Sequence, residues 1–315
     1  MSILSTKHFI GLEESTKRDI DTLIEAGYMF KEVLDRPIKK VPSLNGVNVA
    51  NLFFENSTRT KISFELAEKR LSADVINFSA SSSSLNKGET FKDTVQNIHA
   101  MKIDCIVMRH PTPGSCLQLS NYVDSIIINA GDGTHEHPTQ AMLDMMSLHE
   151  KFGKLKGLKV AIIGDISHSR VALSNIYGLT KMGAKVTLCG PPHLIPPNIA
   201  DLGVSISCDL DEVLDWADAV NVLRIQRERM GIGLIPSVRE YRDFFGITLD
   251  RLKKIDKQMV VMHPGPMNRG VEIDSEVADS EQAIILDQVL NGVAIRMSIL
   301  YCLLSKEKEF NNEKK

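Results

Sequence analysis

Several features that would assign a chain of 315 residues to a common class are missing here. There is no basic surplus. The 37 Lys and Arg stand against 40 Asp and Glu, for a formal charge of -3 and a pI near 6.3, whereas a nucleic-acid binder needs excess cations to meet a phosphate backbone. Cations that matter must therefore be concentrated locally. The 5 cysteines (Cys105, Cys116, Cys189, Cys208, Cys302) are odd in number, scattered and without a C-x-x-C pair. That argues against a disulfide framework or a zinc site and fits a reducing cytoplasm. No run of about 18 apolar residues occurs. The start, Met1-Ser-Ile-Leu-Ser-Thr-Lys-His8, lacks a basic segment followed by an apolar core. The expectation is a soluble cytoplasmic protein that neither enters a membrane nor is exported. Two chemical signatures are absent as well. Val160-Ala-Ile-Ile-Gly164-Asp165 resembles the opening of a dinucleotide fold but lacks G-x-G-x-x-G, so a pyrophosphate has poor backbone access. Nor does any nucleophile stand beside a recognisable base.

What is present is a repeated α/β pattern. Residues 13–35 carry Ile20, Leu23, Ile24, Phe30, Val33 and Leu34 at helical spacing, with Pro37 as a stop. Short apolar runs rich in Val and Ile follow at 47–54, 74–78, 104–108 and 125–129, separated by amphipathic stretches. A second series lies at 158–163, 184–189, 219–223 and 258–262, alternating with helical patterns at 171–181 and 210–216. This predicts an α/β protein of two domains, each a parallel sheet flanked by helices. Residues 138–151 read as a helix followed by Gly153 and Gly157, which puts the junction near 140–155. The expected division is 1–145, 146–290 and 291–315, the last a helix over 289–304 with a charged, solvated tail from Ser305.

In open parallel sheets, ligands bind beyond the carboxyl ends of the strands, and there the polar residues of this chain collect. The first series is followed by Glu55-Asn-Ser-Thr-Arg-Thr60, by Ser79–Ser84 with Lys87, by Arg109-His-Pro111 and by His135-Glu-His137-Pro-Thr-Gln140. The second is followed by Gly164-Asp165 with Arg170, by Gly190-Pro191, by Arg224-Ile-Gln226 and by His263-Pro-Gly265-Pro266. Each alone has an ordinary structural explanation. Their coincidence in a chain of negative net charge predicts an anionic ligand. The helix opening at Ser57 is the sharpest case, because it begins with hydroxyls and cations where an acid would be favoured. Free backbone N–H groups, three hydroxyls and a guanidinium suit a phosphate. Ile62, Leu66, Phe64, Ala67 and Leu71 are expected to form its buried stripe. His135 and His137 could ligate zinc, but no third ligand stands at a recognisable spacing, so no metal is expected.

Taken in order, Ser57-Thr-Arg-Thr60 with Ser63-Phe-Glu65, Arg109-His-Pro111, His137-Pro-Thr-Gln140 and His263-Pro-Gly-Pro266 resemble the transcarbamylase family, above all its aspartate-specific catalytic chains, over about residues 1–305. The resemblance implies a first domain for carbamoyl phosphate, a second for L-aspartate, and a homotrimer with active sites shared between neighbours. By matching motif, Ser57, Thr58, Arg59, Thr60 and Arg109 would hold the phosphate. His137 and Gln140 would face the carbamoyl group, with Gly265-Pro266 closing over it. Arg170, Arg224 and Gln226 would clamp aspartate. Lys87, with Ser84 (Ser83 being the alternative), would reach in from the adjacent subunit. Arg59, Thr60, Arg109 and His137 would be the catalytic set. No cofactor is implied, and regulatory or dihydroorotase chains are possible partners.

Attack of an amine on the carbamoyl carbon builds charge on the carbonyl oxygen, which Thr60, Arg109 and His137 are suited to meet. No side chain is an obvious base for the amine; by analogy with the family, the departing phosphate could take that proton. Three rivals stand beside this reading: a nicotinamide-dependent dehydrogenase, a two-lobed anion-binding protein, and an ornithine-type transcarbamylase. The charge of Arg224 disfavours the last, since it would repel a cationic side chain.

Overall fold

The structure, a computed structural model, describes residues 4–79, 90–225 and 237–312. The chain divides into two compact units, Met1–Met146 with Leu290–Lys315, and Ser147–Val289. The first contains α1 (Lys17–Asp35), β1 (Asn48–Phe53), α2 (Thr58–Arg70), β2 (Asp74–Ser79), α3 (Phe91–Ala100), β3 (Cys105–His110), α4 (Ser115–Ser120) and β4 (Ile126–Asp132). Helix α5 (Pro138–Phe152) carries the chain into the second unit, which contains β5 (Lys159–Ile163), α6 (Arg170–Lys181), β6 (Lys185–Cys189) and β7 (Ser205–Ser207). There follow α7 (Leu210–Trp216), β8 (Ala219–Val222), α8 (Val238–Phe245), α9 (Leu249–Leu252), β9 (Val260–Met262) and α10 (Ser275–Ala278). Helix α11 (Ile285–Asn312) returns the chain to the first unit.

Both sheets are parallel, with orders β2-β1-β3-β4 and β7-β6-β5-β8-β9. Strands covered on both faces need apolar residues at nearly every position. Accordingly β1 is buried from Val49 to Phe53, and β4 throughout. Each of the eight apolar runs expected from the sequence overlaps a strand, with β2, β3 and β4 extending beyond their runs to Ser79, His110 and Asp132. Among the described residues one further strand, β7, lies outside the expected runs: Ser205–Ser207 has one apolar residue and pairs with β6 at the sheet edge.

Two burial and boundary expectations are corrected. Phe64, Ala67 and Leu71 are buried as expected, but Ile62 and Leu66 are 58% and 36% exposed, while Glu68 is fully buried. The buried face of α2 is thus rotated toward Thr60, Ser63 and Glu68, where polar groups of β1 and α11 receive it. Helix α11 starts earlier and ends later than predicted, because the Lys306-Glu-Lys-Glu309 stretch is made of good helix formers. The Ile285–Ser305 part of α11 has a mean hydropathy of 1.3, long and apolar enough for a membrane span, yet 78% of that window is buried. Asp287, Asn291 and Arg296 break its apolar run. Ser298 Oγ donates to Leu23 O of α1 at 2.8 Å, and residues 293–304 supply core to the first unit.

Candidate functional site

Each sheet reverses its strand order once, and a crevice outside the strand ends is expected at each reversal. In the first unit the reversal lies between β1 and β3. The carboxyl end of β1 leads to Glu55 and the start of α2; that of β3 supplies Arg109. Arg109 joins what these elements bring. Its Nε donates to Glu55 Oε1 at 2.7 Å, and its Nη1 donates to Ala130 O at 3.1 Å and Thr60 Oγ1 at 3.4 Å. The same Nη1 is 3.5 Å from His137 Nε2, which marks proximity more than a bond. The Arg109 and Glu55 side chains are 13% and 17% exposed, so the guanidinium is held in place yet still reachable. His137 and Gln140 precede and open α5, and Gln140 Nε2 donates to Asp144 Oδ1 at 3.0 Å.

The start of α2 is built unlike its neighbours. Thr16 at α1 and Thr90 at α3 each form a reciprocal capping box with an Asp. Ser57 is the N-cap of α2 but makes no side-chain capping bond, and the first turn contains no acid. A helix end left positive in this way favours an anion. Arg59, in that first turn, presents accessible surface while its guanidinium is crowded by protein. Crowding lowers its affinity for a proton, and the charge of Asp144 opposes this. Accessible area decides whether a ligand can reach Arg59, and crowding decides how strongly the charge is felt.

Two buried ionisable groups at α2 lie outside the set expected from the sequence. Arg296 of α11 is buried behind α2, where it donates from Nη1 to Ser63 Oγ at 3.0 Å and Gly292 O at 2.8 Å and lies 5.1 Å from the centre of the Phe64 ring. Burial, then the charge of Arg59, pull its pKa down to about 9, against Asp144. A lone Arg in an apolar helical stretch was the available signal. Glu68, on the buried face of α2, accepts from Asn51 Nδ2 at 2.8 Å, and burial pushes its pKa up to about 8. A carboxyl so placed is held as the neutral acid.

In the second unit the reversal lies between β5 and β8. Gly164 ends β5 with φ of 124°, and a Cβ there would stand 3.1 Å from Tyr241 Oη and 3.3 Å from Leu223 Cβ. Only glycine fits that backbone beside that neighbour. Arg224 follows β8. Arg170 is the first residue of α6, 4% exposed, and this helix too has no acid in its first turn. The turn after β9 is wired internally. His263 Nδ1 accepts from Gly265 N–H at 2.8 Å, and its Nε2 faces Glu272 Oε1 at 3.3 Å. Asn268 Nδ2 donates to Glu272 Oε2 at 3.2 Å and to Ile225 O at 3.1 Å. The turn is therefore tied to the residue beside Arg224. The Gly265–Pro266 bond is cis.

The structure brings Thr60, Arg109 and His137 together, with Glu55 as an unpredicted member, and relates Arg59 and Gln140 through Asp144. Ser57 and Thr58 open α2 beside them. Arg170, Arg224, Gly265 and Pro266 belong to the second unit. Ser84, Lys87 and Gln226 lie outside the described residues. His135, weighed as a metal ligand, has its Nδ1 3.2 Å from Asp132 Oδ2, and that hydrogen bond raises its pKa.

Known proteins match this chain along nearly all its length. The family model for the carbamoyl-P binding domain of aspartate/ornithine carbamoyltransferase matches residues 7–150, and that for the Asp/Orn binding domain matches residues 156–303. The aspartate carbamoyltransferase catalytic subunit of Christiangramia forsetii is 59% identical, covering 98% of this chain and 99% of its own. That of Cytophaga hutchinsonii is 58% identical over 96% and 99%. Among solved structures, aspartate transcarbamoylase from Trypanosoma cruzi in complex with carbamoyl phosphate superposes with a TM-score of 0.85 at 31% identity, covering 95% of this chain and 96% of that one. The catalytic subunit of M. Jannaschii aspartate transcarbamoylase gives 0.83 at 34% identity over 96% and 99%. The chain belongs to the aspartate/ornithine carbamoyltransferase family.

Proposed function

We propose that this protein is a transferase that moves the carbamoyl group of carbamoyl phosphate to the amino group of L-aspartate, giving N-carbamoyl-L-aspartate and phosphate. The observation that carries the reading is Arg109 hydrogen-bonded to Thr60 with His137 beside it, at the acid-free opening of α2. Ser57, Thr58, Arg59 and Thr60 hold the phosphate, with Arg109 bridging to the carbamoyl oxygen. As the amine attacks, charge grows on that oxygen, and Thr60, Arg109 and His137 are the donors that meet it. Such donors act because they are fixed before the charge appears, and Glu55 and Ala130 O fix Arg109. Buried Arg296 adds positive potential behind α2. Gln140, Gly265 and Pro266 are assigned to the carbamoyl amide, and the leaving phosphate is assigned the amine proton.

The division of labour follows the motifs, with 1–145 for carbamoyl phosphate, 146–290 for aspartate through Arg170, Arg224 and Gln226, and 291–315 completing the first part. Arg224 favours an aspartate carboxylate over a cationic ornithine side chain. N-carbamoyl-L-aspartate feeds pyrimidine synthesis. A homotrimer, with Ser84 and Lys87 supplied by a neighbour, is supported by Ile62 and Leu66 exposed on α2 and Ile76 exposed on edge strand β2. Five free cysteines suit a cytoplasmic protein. The test is phosphate release and product formation from carbamoyl phosphate with either aspartate or ornithine. Turnover with aspartate alone is expected, with severe loss in Arg59→Ala at retained fold. Equal turnover with ornithine would refute the specificity, and no turnover with either would refute the activity.

A further inference from the structure

We infer that Glu136 is a positioning residue for His137, acting through a buried polar knot that joins the β4–α5 connection to the segment before α1. The inference rests on the carbamoyl-facing role of His137 given above. Asn129, Asp132 and Glu136 are all completely buried. Uncompensated, such groups cost several kcal/mol, and here every one is tied down. Glu136 donates its N–H to Asp132 Oδ1 at 3.0 Å, and its carbonyl accepts from Asp132 N at 3.1 Å and Asn129 Nδ2 at 3.3 Å. Its carboxylate leaves the loop altogether. Oε2 accepts from Leu12 N at 2.9 Å and Oε1 from Glu13 N at 3.2 Å.

The segment it grips is itself anchored to β4. Phe9 N donates to Ile127 O at 2.8 Å, Asn129 N donates to Phe9 O at 2.9 Å, and Asn129 Nδ2 reaches Ile10 O at 2.8 Å. A Cβ on Gly11 would lie 2.2 Å from Glu136 Oε1, so the backbone there is glycine because the carboxylate needs the space. The residue immediately before His137 is thus pinned at its amide, its carbonyl and its side chain. On the other side, Pro138 opens α5 with a fixed φ. His137 is thus flanked by two fixed neighbours, and its ring stands with Nδ1 3.4 Å from Thr139 Oγ1. Packing alone does not call for a carboxylate here; two backbone N–H groups aimed at one side chain do.

The test compares Glu136→Gln, which keeps the volume but loses one acceptor, with His137→Ala and with both together. Glu136→Gln is expected to lower kcat by about tenfold or more, with KM for aspartate within about twofold of wild type. The double variant is expected to be no slower than His137→Ala, because the second change acts through a side chain already removed. Gly11→Ala, remote in sequence, should reproduce the kcat loss, and it carries the comparison if Glu136→Gln does not fold. A kcat within about twofold of wild type in the folded Glu136→Gln protein, or losses that multiply in the double variant, would overturn the inference. If His137→Ala turned over normally, the role of His137 would fall and this inference with it. If His137→Ala were crippled and Glu136→Gln were not, only this inference would fall.

Discussion

The two units solve the same topological problem with wiring in different places. Each has a parallel sheet with one reversal, a helix without an acid in its first turn, and arginines at the strand ends. In the first unit those groups are bonded to one another: Arg109 reaches Glu55, Thr60 and Ala130 directly. In the second, the bonded network runs through His263, Glu272 and Asn268 to Ile225, so it fixes backbone beside Arg224. The contrast is between Arg109, bonded to residues of its own unit, and a turn beside Arg224 that is bonded within itself. A preset charge is what transition-state stabilisation requires. A substrate carboxylate needs affinity more than it needs rate.

The sharpest way to break that comparison is Arg109→Ala. It removes the group that joins three elements, and kcat should fall about a thousandfold in protein shown by circular dichroism to remain folded, with some loss of stability because Glu55 is left unpaired. A loss confined to KM would mean the first unit only binds. Next in size is Glu68→Gln, measured by denaturant unfolding across pH. The folded carboxyl has a pKa of about 8 against an ordinary 4.5, so the folded state holds the proton more tightly than the unfolded one. The wild-type stabilisation is complete below about pH 4.5 and is lost as pH rises to about 8. Against Glu68→Gln, which does not titrate, the wild type should lose on the order of 4 kcal/mol over that window. Parallel curves would mean that Glu68 is charged in the fold.

Arg224→Ala should then act mainly on aspartate, raising its KM roughly tenfold to a hundredfold while carbamoyl phosphate binding, followed calorimetrically, stays unchanged. An equal effect on both substrates would erase the distinction drawn between the units. The smallest effect separates the helix starts. Thr16→Ala removes half of a capping box and should cost about 1 kcal/mol of stability, whereas Ser57→Ala should cost only a few tenths, because that hydroxyl caps nothing. Ser57→Ala should instead weaken phosphate binding.

Strands were the most legible part of the fold. A strand buried on both faces must be apolar almost throughout, and Val49–Phe53 or Ile126–Ala130 cannot hide that. What a period cannot reveal is which face of a helix meets a polar partner. Ile62 and Leu66 looked like core and are exposed, while Glu68 turned inward because Asn51 waits on β1. Thr60, Arg109 and His137, which the structure brings together, could be picked out as a set because their motifs resemble a family's. Their supports were not: Glu55, Asp144 and Arg296 come from separate segments, and Glu136 acts on a segment more than a hundred positions away. Pairings of that kind depend on tertiary structure, which leaves no local trace.

One feature of the chain path bears on biogenesis. The second unit is spliced into the first, and Arg296, which backs the opening of α2, follows the whole of that inserted unit in the chain. A ribosome-bound nascent chain could complete the inserted unit while the earlier one still lacked the buried cation and the Ser298–Leu23 bond. Completion of the α2 opening should therefore follow synthesis of the inserted unit, which is the part with every segment it needs at an earlier moment.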